Sequence, residues 1–270
     1  MRTFFETLKK YLLIYGVFLK NGLMAQMEYR VNFLTSIAME GGYLCVKLSY
    51  AVVVYRSGVT IHGLSPDEIL LFIGSFIALT GVYAGLYATS NFRLREKIKD
   101  GDLDLLISKP VSTQFMATLR HIDLTLFTLD IVAGLALVAI AWQRLRIPVT
   151  AINLVGYAVF FVISSVVAYC VFLLPQILSF WLVNTSAIVE VSDSMWDINS
   201  MPMGIYPRWI QQFGVFALPV FFITNFPPLF VLNKMTPAYY AWAALAPILL
   251  LCIVRAFWNW GLRNYSSASS

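Results

Sequence analysis

Charged residues are scarce in this sequence. They make up 12% of its 270 residues, whereas an ordinary soluble domain has about 25%. Hydrophobic residues make up 59% of the chain. Because this composition leaves too little polar surface to cover a soluble fold, it predicts an integral membrane protein without a separate soluble domain.

Motifs for nucleotide, metal and redox chemistry are also missing. The sequence contains no GxxxxGK[ST] phosphate loop and no HExxH motif, and neither of its two histidines lies near a nucleophile pattern. Its three cysteines lie in apolar segments without metal-ligand spacing. We therefore predict no catalytic, cofactor-binding or metal-binding residues. The basic residues cluster in separate loops, which argues against a nucleic-acid partner.

The hydrophobic residues form continuous segments and do not alternate with polar ones. A helix needs about 20 apolar residues to cross the hydrocarbon core of a bilayer, so these segments predict membrane-spanning helices and an all-α fold. The six predicted spans are 31–55, 69–92, 122–142, 151–174, 176–196 and 238–262. The fifth is too polar for a lipid-exposed helix, so we expect the protein to shield it.

Two further segments are apolar but do not predict regular spans. Residues 1–30 carry aromatic and aliphatic residues at helical spacing, with lysines elsewhere around the helix. This pattern is typical of an amphipathic helix at the membrane surface, and a short first span is the alternative. Residues 201–237 hold six of the eleven prolines, which predicts short broken or re-entrant helices. The tail, 266–270, is predicted to be disordered.

Helix-capping and packing residues support these predicted helices. Ser65 and Pro66 are residue types expected at the N-cap and the first turn of a helix. Gly74, Gly81 and Gly85 lie near one another on the second span. Such a small-residue surface predicts that another helix packs closely against this span.

One stretch between two predicted spans is strongly charged. Nine of the eighteen residues from 93 to 110 are charged, so this segment, the charged island, must face water. Within it, Gly101 permits a sharp turn and Asp102 is a candidate helix N-cap, with Asp104 also near the helix start. Pro110 ends the short helix that these residues predict.

The same short helix is predicted to carry an exposed apolar stripe. Leu103, Leu106 and Ile107 fall on one helical face. An apolar face on a helix at the membrane surface needs a burial partner, so we interpret the island as a docking element for another protein. The alternative interpretation is an ordinary solvated loop.

Four charged residues lie within predicted spans. Glu40 and Lys47 are seven residues apart, as are Asp123 and Asp130, so each pair shares a helical face. An ionised side chain at a helix centre costs at least ~2.5 kcal/mol on insertion into a bilayer, so these faces should point into protein. Two roles stay open for them: structural ion pairs, such as Lys47 with Asp130, or the lining of a substrate path.

The distribution of basic residues predicts the orientation in the membrane. With a cytoplasmic N-terminus and six spans, thirteen Lys and Arg residues fall on the cytoplasmic side, counting Arg255 in the cytoplasmic half of the last span, and five fall in outer segments. The positive-inside rule then places both termini and the charged island in the cytoplasm. A rival six-span arrangement continues the fourth span to about Asn184 and makes residues 185–212 cytoplasmic. Its orientation is the same.

Several short motifs resemble those of a known family. They are, in chain order, Ile98, Gly101, Leu103, Asp104, Leu106, Pro110, Tyr206-Pro207, Leu218-Pro219, Pro227, Trp260, Gly261, Leu262 and Tyr265. In this order they resemble the permease subunits of type-2 ATP-binding-cassette (ABC) transporters, the ABC-2 permeases, and in particular their small bacterial branch. The resemblance covers nearly the whole chain.

This resemblance implies a single transmembrane domain over residues 1–265. It implies a coupling helix in the cytoplasmic loop 93–121 and re-entrant helices between spans five and six. The residues that it assigns to coupling are Gly101, Asp102, Leu103, Asp104, Leu106, Ile107 and Pro110. Two permeases, identical or paralogous, would form the pathway in the cytoplasmic membrane. Two separate ATPase subunits would bind beneath them.

The function that the resemblance implies is ATP-driven transport, with export as the family's usual direction. ATP and Mg²⁺ would bind to the partner ATPase, so the chain itself would be neither an enzyme nor a cofactor-binding protein. A function of another class stays open, an ion-coupled secondary transporter or channel that uses the four intramembrane charges. The absence of an internal repeat of spans in the sequence argues against it.

Overall fold

The computed structural model describes residues 2–28, 30–57, 63–182 and 186–265. The described chain is 85% helical and contains no β-strand, which confirms the predicted all-α class. The predicted disordered tail lies outside the described residues. So does His62, one of the two histidines.

The helices are labelled here in chain order. Their bounds are α1 Arg2–Glu28, α2 Arg30–Ser57, α3 Pro66–Lys99, α4 Leu103–Ile107, α5 Thr113–Thr118, α6 Leu124–Arg144, α7 Ala151–Phe180, α8 Ser186–Asn199, α9 Arg208–Ala217, α10 Val220–Val231 and α11 Pro237–Asn264. Helix α3 contains one π-helical turn and α7 ends in a 3₁₀ turn.

Local capping residues decide where the long helices begin. The Ser65 hydroxyl accepts a hydrogen bond from the Glu68 backbone N–H at 3.3 Å, and the Glu68 carboxylate accepts one from the Ser65 N–H at 3.1 Å. These two bonds form a capping box ahead of α3, with Pro66 in the first turn as predicted. The Thr150 and Thr236 hydroxyls cap α7 and α11 with one bond each, from the Asn153 and Tyr239 backbone N–H groups. Each cap satisfies backbone N–H groups that have no partner within the helix.

Helices α3 and α6 pack closely through glycines. A methyl group added at Gly134 would lie 2.4 Å from the Ala78 backbone nitrogen, and one added at Gly85 would lie 2.5 Å from Phe127 Cβ. Gly74 and Gly81 make similar close approaches, at 2.8 Å each. The predicted small-residue surface is therefore the contact face of α3, and its partner is α6.

Four described helices are long and apolar enough to cross a membrane: α3, α6, α7 and α11. The pair α9 and α10, bent by 101°, meets the same criterion if the two are taken together. Helix α2 is long enough but carries Arg30, Glu40, Lys47 and Arg56, so its place as the first span rests on the sequence prediction. The count of six spans also stays a prediction.

The predicted fifth span, 176–196, is not a single helix. Helix α7 continues through Pro175 to Phe180, and α8 starts again only at Ser186. The Gln176 side chain donates to the Ser192 hydroxyl at 3.1 Å, so the chain doubles back and α8 lies alongside the end of α7. At 1.5 Å per residue, the fourteen residues of α8 reach only about 21 Å, less than the ~30 Å hydrocarbon core.

Helix α8 is buried on one face only, so the shielding predicted for this polar segment is partial: Ser192 and Asn199 are buried, whereas Glu190, Asp193 and Asp197 are exposed. Its Trp196 ring stacks on Tyr83 of α3, with centroids 4.7 Å apart, and contacts Phe172 of α7. At the last residue of α8, the Asn199 side chain accepts a hydrogen bond from Thr224 of α10 at 2.7 Å. Internal hydrogen bonds of this kind satisfy polar groups that lipid cannot.

The region predicted as broken or re-entrant, 201–237, consists of short helices. Asn225 of α10 accepts from the Met203 backbone N–H at 2.9 Å, and the Trp242 indole of α11 donates to the Val215 carbonyl at 2.8 Å. Both contacts tie irregular backbone to neighbouring helices. Helix α10 is mostly buried, whereas no residue from 208 to 212 in α9 is, so protein surrounds only the second half of the broken segment.

The described bundle has two distinct ends. At one end, Lys234 and Glu68 form an ion pair of 2.6 Å between the α10–α11 loop and the start of α3. At the other, the last turns of α3 and α7 lie side by side and the charged island follows. We call these the opposite end and the island end.

The α3–α6 contact yields a testable prediction. Gly134→Ala should lower the midpoint of thermal unfolding in detergent, because overpacking a close helix contact costs about 1–3 kcal/mol. Gly41→Ala is the matched control, since a methyl group there meets no atom within 4 Å. Removing this helical glycine should instead stabilise the protein by roughly 0.5–1 kcal/mol. An unchanged or raised midpoint for Gly134→Ala would contradict the close packing.

Candidate functional site

The charged island forms a turn followed by one short helix. Helix α3 ends at Lys99, and Gly101 adopts φ of +80°, a conformation that favours glycine. Helix α4 then follows, and the predicted turn at Gly101 and the short helix after it are both present. The Asp102 side chain makes no capping hydrogen bond, so the predicted N-cap bond is absent.

The apolar residues of the island divide between the core and the surface. Leu103 and Leu106 are 0% and 3% exposed and belong to the main hydrophobic core, so the prediction that both lie on the exposed stripe is wrong. Leu105 and Ile107 are 66% and 46% exposed. The two buried leucines hold α4 against the bundle, and the two exposed side chains form the apolar surface that a partner can reach.

Helix α1 holds the island from its other side. Lys10 donates from Nζ to the Pro110 carbonyl at 2.7 Å, and the Tyr11 hydroxyl accepts from the Ser112 backbone N–H at 3.0 Å. The rings of Tyr11 and Phe115 meet edge to face with centroids 4.8 Å apart. The C-terminal side of the island is therefore fixed to α1 by polar and aromatic contacts.

Helix α5, which follows the island, connects it to two long helices. Gln114 donates from Nε2 to the Tyr169 hydroxyl of α7 at 3.2 Å, and it accepts at Oε1 from Arg255 of α11 at 3.1 Å. Thr118, fully buried, also bonds Tyr169 at 2.9 Å. A displacement of the island would thus be passed to α1, α7 and α11 together.

Sequence reasoning missed these anchoring residues. The spacing of Tyr11 and Tyr15 places them on the apolar stripe of α1 that the sequence predicts to lie at the membrane surface, whereas their rings pack against Phe115. Ser112 is a residue type expected at a helix N-cap, and its hydroxyl accepts from the Phe115 N–H at the start of α5. Nothing in the local pattern identifies Tyr169 or Arg255 as partners of Gln114, because the contacts join distant parts of the chain.

Three of the four predicted intramembrane charges meet between α2 and α6. Lys47 Nζ lies 2.8 Å from Asp130 Oδ2 and 3.5 Å from Glu40 Oε1. The Asp130 side chain is fully buried and that of Lys47 is 25% exposed. Gly81 makes room for this cluster, because a methyl group there would lie 2.8 Å from Asp130 Cβ. The Lys47 ammonium therefore pairs with two carboxylates. Glu40, Lys47 and Asp130 form a charge cluster that joins α2 to α6.

The fourth predicted charge, Asp123, lies elsewhere and has another role. Its Oδ1 atom accepts from the backbone N–H groups of Thr125 and Leu126 at 3.0 and 3.1 Å, and from Gln26 of α1 at 2.7 Å. It caps α6, which begins at residue 124 and not at 122. The seven-residue spacing of Asp123 and Asp130 predicts a shared helical face. Asp123 instead lies just before the first turn of α6, as the N-cap residue, and so is not on a face of that helix.

The described residues show few features of a catalytic centre. No group of three His, Cys, Asp or Glu side chains among them is placed to hold a metal ion. His121 lies at the island end, where burial and then the neighbouring Lys97, Arg93 and Arg120 lower its pKa to about 4. The imidazole is therefore neutral at pH 7.

Comparison with known proteins gives one family match. A family model described as "ABC-2 family transporter protein" matches residues 42–269. The matched region includes the charged island and all helices from α3 to α11. No curated protein and no solved structure matches the chain significantly.

The charge cluster yields a second prediction. Lys47→Met should destabilise the protein most, by roughly 3–5 kcal/mol, because it leaves two carboxylates buried without their cation. Asp130→Leu should cost less, since Lys47 retains Glu40. The double variant should be less destabilised than the sum of the two single variants.

The measurement is a double-mutant cycle on thermal unfolding in detergent. Lys20→Met serves as the matched control, because it removes an exposed lysine of α1 and should change the midpoint little. Strictly additive losses for Lys47→Met and Asp130→Leu would exclude direct pairing.

Proposed function

The chain belongs to the ABC-2 transporter family, and on this premise we propose that it is a permease subunit that exports a substrate with energy from a separate ATPase. The observation that carries the proposal is the fixed island with its exposed Leu105 and Ile107. A short helix held rigidly by the membrane bundle, with an apolar outer surface, is suited to receive a mechanical displacement from a partner.

The need for a partner follows from a motif that the sequence lacks. It has no phosphate loop, so ATP and Mg²⁺ would be bound by separate subunits that dock at the island. Leu105 and Ile107 would enter an apolar groove on the ATPase. Asp102, exposed just before the same helix, would contact polar groups at the rim of that groove.

Closure of the ATPase would move the island as one body with the bundle. Leu103 and Leu106 anchor α4 in the core, and the Gln114 contacts join α5 to α7 and α11. Side chains packed this closely transmit a displacement because they have little room to rearrange. The Lys47–Asp130 pair would keep α2 and α6 together during this motion.

The assembly that we propose contains two permeases and two ATPase subunits in the cytoplasmic membrane. The second permease would be a copy of this chain or a paralogue. Both termini and the island would be cytoplasmic, according to the positive-inside rule. The ion-coupled alternative gains no support, because Asp123 caps a helix and the remaining three charges contact one another.

The proposed orientation can be tested by labelling with a membrane-impermeant thiol reagent. In a protein whose native Cys45, Cys170 and Cys252 are replaced, a cysteine at position 149 should react in intact cells. Val149 is 75% exposed in the loop at the opposite end. A cysteine at position 99, at the island end, should react only after permeabilisation. Labelling of position 99 from outside would overturn the orientation.

Docking at the island can be tested with Leu105→Asp and Ile107→Asp. Because both side chains are exposed, the variants should fold and insert normally. Each should weaken ATPase binding about thirtyfold, the scale of losing one anchoring contact of about 2 kcal/mol. ATP-driven transport should decrease together with ATPase binding. Co-purification of the ATPase and transport in reconstituted vesicles measure the two effects.

Two further variants separate docking from folding. Val149→Asp places the same charge on an exposed apolar residue at the opposite end, and it should leave ATPase binding unchanged. Leu103→Asp should instead destabilise the permease itself, because its side chain is fully buried. If Leu105→Asp and Ile107→Asp both keep normal ATPase binding and transport, α4 is not the docking surface.

A further inference from the structure

A cavity of about 540 Å³ lies at the island end between α1, the island and the start of α6. Three basic side chains line it: Arg93, Lys109 and Arg120. Phe18 and Met116, both buried, form part of its apolar wall. A cavity with cations at its rim and an apolar wall is suited to a ligand that is anionic at one end and apolar at the other.

The three cations of this cavity have no carboxylate partner within 4.0 Å in the part of the chain that the structure describes. Asp123, the acidic residue in the lining, is already bonded by Gln26 and by two backbone N–H groups of α6. His121, also in the lining, is neutral at pH 7. The cavity therefore carries an excess of positive charge.

An adjoining cavity contains the acidic residues that oppose this charge. It has a volume of about 470 Å³ and shares Arg93, Lys109 and Arg120 with the first cavity. Glu96, Asp100 and Asp102 also line it, together with one further basic residue, Lys97. An anion would therefore bind more favourably in the first cavity, away from these carboxylates.

An apolar groove of about 270 Å³ continues from the first cavity along α2 and α6. Leu23, Phe33, Ile37 and Leu129 are among its lining residues. Gln26 lines both the cavity and the groove, and its Oε1 atom is buried without a hydrogen-bond donor among the described residues. The groove lies beside helices that carry many exposed apolar side chains, the surface expected to face lipid tails.

We propose that the cavity and the groove bind one anionic phospholipid. Its phosphate would lie among Arg93, Lys109 and Arg120, and one acyl chain would occupy the groove along α2 and α6. A headgroup hydroxyl, such as those of phosphatidylglycerol, would donate to Gln26 Oε1. Charge complementarity selects this occupant, because anionic lipids are attracted to basic residues at the membrane surface.

The test uses the purified full-length protein in a neutral detergent. Binding of dioleoyl phosphatidylglycerol and of dioleoyl phosphatidylcholine is measured by native mass spectrometry and by the shift in the thermal unfolding midpoint. We expect tighter binding and a larger stabilisation with phosphatidylglycerol. Inorganic phosphate and glycerol phosphate should bind at least tenfold more weakly than the lipid, since they cannot fill the groove. Equal affinity for these free anions would overturn the lipid assignment.

A matched pair of double variants tests the residues. Arg93→Gln with Arg120→Gln should weaken phosphatidylglycerol binding about thirtyfold, on the order of fivefold per basic side chain. Lys20→Gln with Lys99→Gln removes the same charge at the same end, outside the cavity lining, and should change affinity less than about twofold. Equal losses in both double variants would show a diffuse electrostatic effect and overturn the site.

A single variant keeps the test valid if the first double variant does not fold. Lys109→Gln should weaken phosphatidylglycerol binding about fivefold, and Lys109→Arg, which retains the charge, should restore it. If Lys109→Gln binds the lipid as tightly as the unmodified protein, the proposed phosphate position is wrong.

Discussion

The close glycine contact between α3 and α6 is the constraint on which the other described features depend. Lipid tails are as apolar as leucine, so burying apolar side chains between helices gains little transfer energy, and close packing and internal hydrogen bonds must hold the bundle. The approach of Gly134 to Ala78 provides such packing. On the same interface, Gly81 leaves room for Asp130, which Lys47 reaches from α2. One helix pair thereby positions the charge cluster.

The same interface extends to the island end. The Asp123 backbone N–H donates to the Gly85 carbonyl at 2.7 Å, which fixes the start of α6 against α3. The segment before it carries α5, whose Gln114 contacts two further helices, and Phe115, which packs against α1. The island is therefore part of the packed body of the protein, and in the proposed function a force applied to it would act on the helices directly.

Local signals made several parts of this architecture predictable. The observed helices α3, α6, α7 and α11 begin within a few residues of the predicted spans, because long apolar runs and capping residues act within one or two turns. The positive φ at Gly101 also follows from a local property, the absence of a side chain. The break within 176–196 was not predictable in this way, because the apolar run gives no sign that Gln176 and Ser192 lie side by side.

The sequence by itself determined that this is a helical membrane protein with a water-facing charged island between two apolar segments, because composition and hydrophobic run length do not depend on distant contacts. Only the tertiary structure decided which island residues are available to a partner. A helical stripe shows that Leu103 and Leu106 share a face, but not whether that face meets solvent or the protein's own core. Leu103 and Leu106 are both buried in the core, because α5 packs beneath α4. Leu105 and Ile107 remain exposed.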